Sequence, residues 1–422
     1  MTFKVIRPKL PAAARLQRGQ VLTLGALAMT GMMGFTALSL DVGNLYYQKR
    51  VMQTAADAAA VSGAYEVIHG TGDAQTAALT SASQNGFSNG TNNVAITVNN
   101  PPASGAYAGN PQAVEVIINA PEPTYFARVL GIDNVSMSSR AVARVVNSSY
   151  GIYVLDPHAS GALGTLTLSG GANITSNTGI IVDSDSSSAL SVTGGATLTA
   201  PGVGVTGGYA DGGGGTINPT PVTGVSPVQD PLAALPAPAY GSCDYTNYSV
   251  GNGNQVNLSP GVYCGGMQIR GGASVTFSPG TYILNGGGMT VSNGASVTGS
   301  GVTFYNTAGS GQTFAPIDVT GGGTVNLSAP TSGTYEGILA FQDRNISSTA
   351  ANTFDGGANM IINGTLYMPE GSVVFSGGSS TAAYTILVAD KVSLSNGADT
   401  VINADYSSLQ DGSPIKTVVL GE

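Results

Sequence analysis

The sequence predicts a mostly β protein that one N-terminal α-helix attaches to a membrane. Residues 19–40 form an uncharged apolar run, and a glycine turn followed by an alternating strand recurs between residues 170 and 402. Charged residues are 9% of the chain against 42% apolar residues, with 61 glycines, which favours a β-rich chain with tight turns over a disordered one. The predicted order is a transmembrane helix, a small α/β domain and a right-handed parallel β-helix-like solenoid. A β-sandwich is the alternative for the last part.

Residues 1–18 form a basic segment that precedes the candidate membrane span at residues 19–40. The span has 22 residues, and about 20 apolar residues suffice for a helix to cross the hydrocarbon core. Basic residues stay in the cytoplasm, so we expect the N-terminus inside and everything after residue 40 outside. A secretory signal has a shorter apolar region of about 7–15 residues, which favours an uncleaved anchor over a cleaved signal.

Residues 41–66 are predicted to continue the membrane helix as an Ala-rich helical stalk, because small and apolar residues recur at spacings of three and four. Within the span, Ala26, Thr30 and Gly34 are small residues four positions apart, a pattern that lets membrane helices approach closely. Two interpretations stay open here. The helix is either a monomeric anchor or a surface for lateral assembly with other single-span proteins.

Residues 67–147 are predicted to form the small α/β domain. Alternating apolar residues at 94–98, 113–119 and 135–146 indicate three strands. Between the last two strands, residues Pro123 to Leu130 suit a short helix, with Thr124 as its N-cap and Gly131 just past its end.

Residues 148–422 are predicted to form the distal domain, built from repeats of about 20–25 residues that are typical of β-helix coils. Glycine and asparagine would make the bends between strands. The recurring elements are GGANITS (170–176), GGATLTA (194–200), GGASVTF (271–277), NGASVTG (293–299), GGGTVNL (321–327), GGANMII (356–362) and NGADTVI (396–402).

A Pro-rich connector at residues 216–241 interrupts these repeats and shows no helix or strand pattern. We expect it to be extended and to cross one face of the solenoid. The two cysteines of the chain, Cys243 and Cys264, follow it. Outside the cytoplasm we expect them to form a disulfide that fixes its far end, contributing about 3 kcal/mol through loop entropy. Two buried free thiols are the alternative.

The charge distribution restricts the partners of the exported part. All 23 acidic residues and nine of the 14 basic ones lie after residue 40, a net charge of −14. This sign argues against nucleic acid and against anionic lipid head groups as partners.

The N-terminal third resembles the TadE/TadG-like proteins of the Tad (tight adherence, Flp) pilus-assembly system. The matching residues are Arg18, Gly19, Asp41, Gly43, Gln53, Ala55, Ala56 and Asp57, in order around the apolar span. Residues 94–100, 113–133 and 135–146 are similar to the domain that follows the anchor in such proteins. The resemblance implies a single-pass inner-membrane protein whose C-terminal part lies in the periplasm or beyond.

Two places in the distal domain are candidates for chemistry. Asp183 and Asp185 lie two apart, which in a strand puts both on one face about 6–7 Å apart, a separation suited to glycoside hydrolysis. No Lys, Arg or His is near them in sequence, so a polar turn after the strand Gly179–Val182 is favoured. Asp156 begins a partial match to the D-x-S-x-S metal site of von Willebrand type A domains, but His158 replaces the first Ser.

These patterns predict no enzyme, no cofactor and no metal. The resemblance implies a structural role in the assembly, anchoring or surface presentation of Flp-type pili, with pilus-assembly membrane proteins as partners. The alternative is a surface adhesin or carbohydrate-binding module that contacts surface polysaccharide. A polysaccharide-degrading enzyme is the third and weakest interpretation.

Overall fold

A computed structural model describes residues 13–69, 73–158, 164–355, 360–377, 379–381 and 385–421. The basic segment predicted at residues 1–18 therefore lies mostly outside the described residues. The chain divides into two compact units. Unit 1 comprises residues 1–146 and 417–422, and unit 2 comprises residues 147–416.

Unit 1 contains two α-helices and a four-stranded sheet of strand order β1-β2-β3-β30. Its elements are α1 (Ala13–His69), α2 (Ala74–Gln84), β1 (Ala95–Asn99), β2 (Ala113–Pro123), a 3-10 helix (Ala127–Leu130), β3 (Asn134–Asn147) and β30 (Lys416–Leu420). The last strand returns to this sheet from the C-terminal end. The sequence-based boundary at residue 148 was therefore wrong for residues 417–422, because β30 pairs here and not in unit 2.

The second half of α1 packs directly on the sheet. Its alanines Ala55, Ala56, Ala59 and Ala60 are fully buried, in one cluster with apolar residues of β2 and β3. Their short side chains let the helix backbone approach closely, and a Cβ at Gly63 would lie only 3.0 Å from Val114 Cγ1. Residues 41–66 are therefore helical but do not form a separate stalk, because the alanine stripe belongs to the core of this unit.

The predicted helix after β2 is shorter than expected. Only Ala127–Leu130 is helical, as a 3-10 turn that ends at Gly131 in the left-handed region. Thr124 does not cap this turn. Its hydroxyl donates to the carbonyl of Ile132 instead, which closes the base of the loop.

Unit 2 consists of short strands that pair in parallel. Its strands are β4 (Tyr150–Val154), β5 (Leu166–Leu168), β6 (Asn173–Ser176), β7 (Gly179–Val182), β8 (Leu190–Thr193), β9 (Thr197–Thr199), β10 (Val203–Val205), β11 (Tyr209–Gly212), β12 (Thr216–Asn218), β13 (Val222–Thr223), β14 (Tyr245–Val250), β15 (Gln255–Leu258), β16 (Gly261–Ile269), β17 (Ser274–Phe277), β18 (Gly280–Asn285), β19 (Met289–Val291), β20 (Ser296–Ser300), β21 (Val302–Thr307), β22 (Ile317–Val319), β23 (Thr324–Ser328), β24 (Ile338–Gln342), β25 (Asn352–Asp355), β26 (Met360–Ser376), β27 (Ser379–Thr381), β28 (Thr385–Ser395) and β29 (Asp399–Ile402).

These strands form three parallel ladders, and the chain visits the three in turn. Ladder A contains β14, β16, β18, β21, β24, β26, β28, β4, β7, β10 and β13. Ladder B contains β14, β16, β19, β22, β25, β26, β28, β5, β8 and β11. Ladder C contains β15, β17, β20, β23, β26, β27, β29, β6, β9 and β12.

Long strands pair in more than one ladder. Because β16 and β26 each pair in both ladder A and ladder B, the strands between them form a closed ring. The closed ring of eight parallel strands is β16, β18, β21, β24, β26, β25, β22 and β19. The prediction of a mostly β distal part is confirmed. The pairings are not the antiparallel ones of the alternative, a β-sandwich. The right-handed β-helix-like solenoid stays a prediction.

The ladders do not follow the order of the sequence. Strand β28, near the end of the chain, pairs with β4, the first strand of unit 2, with Leu387 opposite Ile152. Residues 150–223 therefore lie at one end of the ladders, and residues 245–258 begin the other end. The connector between these two segments has to pass along the ladders to join them.

Glycine pairs make the turns between ladders B and C. Gly170, Gly171, Gly194 and Gly195 all have positive φ, which a residue without a Cβ adopts at little cost. The turns stack on each other, since the Gly171 N–H donates to the Gly194 carbonyl at 2.9 Å. The recurring glycine element of the sequence is therefore a stacked turn. Part of its sixth copy, residues 356–359, lies outside the described residues.

The connector covers the outer face of ladder A. Leu232 is buried in a cluster with Ile283 and Phe341 of that ladder. Arg344 donates to the carbonyls of Leu232 and Leu235 at 2.6 and 2.7 Å. The predicted connector at residues 216–241 does contain two strands, β12 and β13, because its first residues still pair with β9 and β10. Beyond them it is a strap without strands. It contains one turn, in which the Leu235 N–H donates to the Leu232 carbonyl at 2.9 Å.

A disulfide lies at the far end of this strap. Cys243 and Cys264 are bonded, with their Cα atoms 5.7 Å apart. Cys264 belongs to β16 and is buried, whereas Cys243 is exposed just before β14. The bond therefore ties the end of the strap to the first strands of ladder A.

Substitution of two glycines distinguishes two ways in which an added Cβ destabilises the fold. One is steric crowding against neighbouring atoms, and the other is the strain of a positive φ. Gly272 and Gly287 have φ of +72° and +71°, but only at Gly287 would a Cβ meet backbone, 2.3 Å from Gly265 C. We expect Gly272→Ala to lower the free energy of unfolding by about 1 kcal/mol. Gly287→Ala should cost about 2 kcal/mol more, because the stacked backbone has to move.

Urea unfolding of both full-length variants in detergent, followed by far-ultraviolet circular dichroism, measures this difference. Equal destabilisation by the two substitutions would show that the backbones around Gly287 are not in close contact.

Candidate functional site at the helix–sheet junction

The first part of α1 presents apolar side chains on all sides. Leu22, Leu27 and Phe35 have exposed fractions of 80%, 68% and 76%. This helix is long and apolar enough to cross a membrane by length and composition. Such exposure is costly in water and favourable in lipid, which fits a membrane-anchored protein.

The small residues of this helix form an open face. Thr30 donates its hydroxyl to the Ala26 carbonyl at 2.9 Å, so its polar group is satisfied within its own helix. A Cβ built at Gly34 would meet no atom of the described chain within 4 Å. This face can therefore accept another helix without leaving a hydrogen-bonding group unpaired.

Asp41 joins the end of the apolar run to the loop after β2. It is 4% exposed, and its carboxylate accepts hydrogen bonds from the backbone N–H groups of Tyr125, Phe126 and Ala127 at 2.8, 2.9 and 2.6 Å. These N–H groups are the unpaired donors at the start of the 3-10 turn, which a carboxylate satisfies well. Asp41 therefore holds the loop against α1. Gly43, two residues further along the helix, has open space around it.

Further along α1, polar side chains attach the helix to β3. Gln53 donates from Nε2 to Asp57 Oδ1 at 2.8 Å and to the Arg140 carbonyl at 2.9 Å. Lys49 reaches the carbonyl of Ser138, two residues earlier on the same strand. The polar residues of the motif thus fix the helix along β3, while Ala55 and Ala56 pack beneath it.

A buried ion pair lies next in the sheet. Glu115 is fully buried and accepts from Arg140 Nε at 2.6 Å and from Asn99 Nδ2 at 2.7 Å. Burial alone would raise the pKa of Glu115, but its hydrogen bonds and the Arg140 charge outweigh burial and lower it. The carboxylate is therefore charged and immobile. Glu115 and Arg140 therefore form a structural ion pair, because both carboxylate oxygens of Glu115 are hydrogen-bonded within the protein.

The carboxylates predicted in the distal domain do not form a pair. Asp183 is 3% exposed and accepts from the Val228 N–H of the strap at 3.1 Å. Asp185 is exposed and lies 2.9 Å from His158 Nδ1. Neither carboxylate lies in a strand, because β7 ends at Val182 and the chain turns after it, as in the interpretation favoured from the sequence.

The structure brings to Asp156 a cation that the sequence separation concealed. Lys391 Nζ lies 3.1 Å from Asp156 Oδ2, because β28 is the neighbour of β4 in ladder A. His158 donates its backbone N–H to Asp156 Oδ1 at 2.9 Å, an Asx-type turn. Among the described residues no group of three or more His, Cys, Asp or Glu could hold a metal ion. Residues 159–163 of the partial metal motif lie outside them.

Another polar cluster that the sequence did not indicate holds the strap. Asp230 Oδ2 accepts from the Tyr367 hydroxyl at 2.5 Å and lies 3.8 Å from Arg344 Nε. Burial first, and then the Asp230 charge, raise the pKa of Tyr367 strongly. Only the covering of ladder A by residues 225–243 brings these groups together, so no local motif could have revealed them.

Comparison with known proteins bears on the same segment of α1. Residues 19–66 match the family model described as putative Flp pilus-assembly TadE/G-like. The matched segment includes Gly19, Asp41, Gly43, Gln53 and Asp57, and Arg18 lies one residue before it. No curated protein and no solved structure matches the chain. The resemblance seen in residues 94–146 stays a prediction.

The contacts of Asp41 predict its effect on the loop. In Asp41→Asn the amide keeps one acceptor oxygen, but its NH₂ group faces N–H donors, so at least one hydrogen bond is lost. We expect faster amide hydrogen exchange at residues 125–127, measured by mass spectrometry on the full-length protein in detergent.

Asp73→Asn is the matched control, because Asp73 caps α2 through the Gln75 N–H and does not touch the loop. Unchanged exchange at residues 125–127 in Asp41→Asn would contradict the role of Asp41.

Burial raises the pKa of Asp183 to about 6, from an ordinary value of 3.8. The folded state then keeps a proton that the unfolded state releases between about pH 4 and 6. The free energy of unfolding should therefore fall as the pH rises through this window, by about 2 kcal/mol. Asp183→Asn should remove this fall and be more stable than the parent at pH 7.5.

Urea unfolding at pH 4, 5, 6 and 7.5 measures the effect. Asp185→Asn is the control, since that carboxylate is exposed. The same pH dependence in the parent and in Asp183→Asn would show that Asp183 is charged in the fold.

Proposed function

We propose that this protein is a structural, non-enzymatic component of Flp-type pilus assembly, anchored by one span in the inner membrane with both folded units on the periplasmic side. The observation that carries the proposal is the coincidence of three features in α1. The segment that matches the TadE/G-like family, the exposed apolar helix and the alanine stripe packed on the sheet are one continuous helix. The five basic residues before the span support the orientation.

The proposed mechanism is mechanical. The face formed by Ala26, Thr30 and Gly34 binds the spans of other pilus-assembly membrane proteins. Asp41, Gln53 and Lys49 fix the same helix to the sheet of unit 1, so a helix bound in the membrane holds this unit in a defined orientation. The open space at Gly34 and the hydrogen bond of Thr30 to Ala26 support this role of the small-residue face.

For the distal part we propose a right-handed parallel β-helix-like solenoid that presents a surface for contact with a partner or with polysaccharide. The three ladders and the stacked glycine turns support this architecture. No catalytic role is proposed for Asp183 or Asp185. Asp183 is buried and hydrogen-bonded to the strap, whereas Asp185 is exposed.

A second candidate function, a surface adhesin or carbohydrate-binding module, is favoured by the outer face of ladder C. Buried Val275 and Val297 alternate there with small polar residues, such as Thr276 and Thr298, whose hydroxyls lie 3.3 Å apart. The same alternation runs through β15, β17, β20 and β23 and again through β6, β9 and β12. Ile361 of β26 and Val401 of β29 lie in the same outward column between these two runs. Rows of hydroxyl and amide groups suit contact with polysaccharide.

Leucine substitutions in the span test the assembly function. Gly34→Leu fills the small-residue face, and we expect it to reduce both the co-purification of other span proteins and the pili recovered by shearing, by tenfold or more. Gly25→Leu is the matched control. Gly25 also has open space but lies on the opposite side of the helix from Gly34, about 180° around it, so its effect should be less than twofold.

The measurement uses cells in which a C-terminally tagged chain replaces the native one, fractionated into inner membrane and sheared appendages. If Gly34→Leu leaves pili and partners unchanged, the span is only a tether and the adhesin function is favoured. A shortened product among the appendages would contradict the anchored role and indicate a processed, pilus-associated subunit.

A further inference from the structure

The loop between β2 and β3 carries an apolar surface that the fold of unit 1 leaves uncovered. Five of its apolar side chains are exposed, with exposed fractions of 62% for Tyr125, 45% for Phe126, 85% for Val129, 70% for Leu130 and 48% for Ile132. Outside α1, the described chain has eight large hydrophobic side chains exposed in this way, and five of them lie in these eight residues. Such clustering on a soluble surface marks a contact site.

The position of the loop indicates what covers it. Asp41, the first residue after the apolar run, accepts three hydrogen bonds from residues 125–127, so the loop lies at the level where the span ends. Phe126 extends further towards the membrane. It lines one open groove with residues of the span itself, namely Met29, Met32, Met33, Thr36, Ala37 and Leu40.

The composition of the loop suits the interface between lipid tails and head groups. Aromatic side chains prefer this region, and Tyr46 and Tyr47 of α1, exposed by 72% and 63%, lie just past the span as well. Arg128 is the one basic residue of the loop and is exposed, so its long side chain can reach lipid phosphates while its neighbours enter the apolar layer. The loop itself contains no acidic residue between Thr124 and Ile132.

We propose that residues 125–132 form a second membrane contact, a loop that inserts into the interfacial layer of the leaflet beside the span. This rests on the proposed single-span anchoring and adds to it. Asp41 links the two contacts, so that unit 1 is fixed to the membrane at two points and cannot rotate freely about α1.

Site-directed fluorescence on the full-length protein in phosphatidylcholine vesicles tests the proposal. Both native cysteines are in a disulfide, so one added cysteine can be labelled with bimane under non-reducing conditions. The test positions are Val129→Cys and Leu130→Cys, in separate proteins. Met32→Cys reports the span. Ala108→Cys reports the opposite end of β2, about 36 Å from the loop.

We expect lipids that carry a nitroxide near the head group to quench bimane at Val129 and Leu130 at least threefold more than at Ala108. Deep nitroxides should quench Met32, and aqueous iodide should quench only Ala108. Iodide quenching at Val129 and Leu130 equal to that at Ala108, with Met32 quenched by lipid, would overturn the proposal and leave the anchor intact.

Two other results have distinct meanings. Shielding of Val129 and Leu130 from both lipid and iodide, with Met32 in lipid, would overturn the proposal because protein covers the loop instead. Failure of lipid nitroxides to quench Met32 would overturn the single-span anchor itself, and with it this inference.

Discussion

The close packing of α1 on the sheet is the interaction on which unit 1 depends. One helix passes from a stretch that exposes large apolar side chains to a stretch whose buried apolar side chains are alanines and Met52. Alanine permits the approach because its side chain fills little space, so the sheet contacts the helix backbone almost directly. The same small side chains contribute little apolar area each, and the polar links through Lys49, Gln53 and Asp41 therefore matter for the orientation of the helix.

Unit 2 depends on a different constraint, which is that parallel neighbours must keep the same register. Each strand buries alternate residues against the next, so that Val275, Val297 and Val325 stack in line in ladder C. This requirement concerns the neighbour in space and not the neighbour in sequence. It explains how β28 can pair with β4 although more than 200 residues separate them. It also explains the strap. Unit 2 begins with β4, which lies between β28 and β7 in ladder A, so the chain has to pass along the ladders to reach β14 at the far end.

The polar groups of unit 2 hold this strap in place. The contacts between residues 225–243 and ladder A involve four polar side chains, namely Asp183, Asp230, Arg344 and Tyr367. Burying a carboxylate is costly unless it is hydrogen-bonded. Asp183 accepts a hydrogen bond from the Val228 N–H, and Asp230 accepts one from the Tyr367 hydroxyl. The hydrogen bond from the strap thus gives a structural role to the buried Asp183.

The sequence by itself determined the elements that depend on local pattern. The apolar run predicted the span, the glycine repeats predicted the turns, and the residues from Arg18 to Asp57 indicated the family that residues 19–66 match. Only the tertiary structure decided the contacts between distant residues. It buried the supposed stalk in a core, placed β30 in the first sheet, separated Asp183 from Asp185 and brought Lys391 to Asp156. Periodicity reports which face of an element is apolar, but the element that covers this face is chosen by packing across the whole chain.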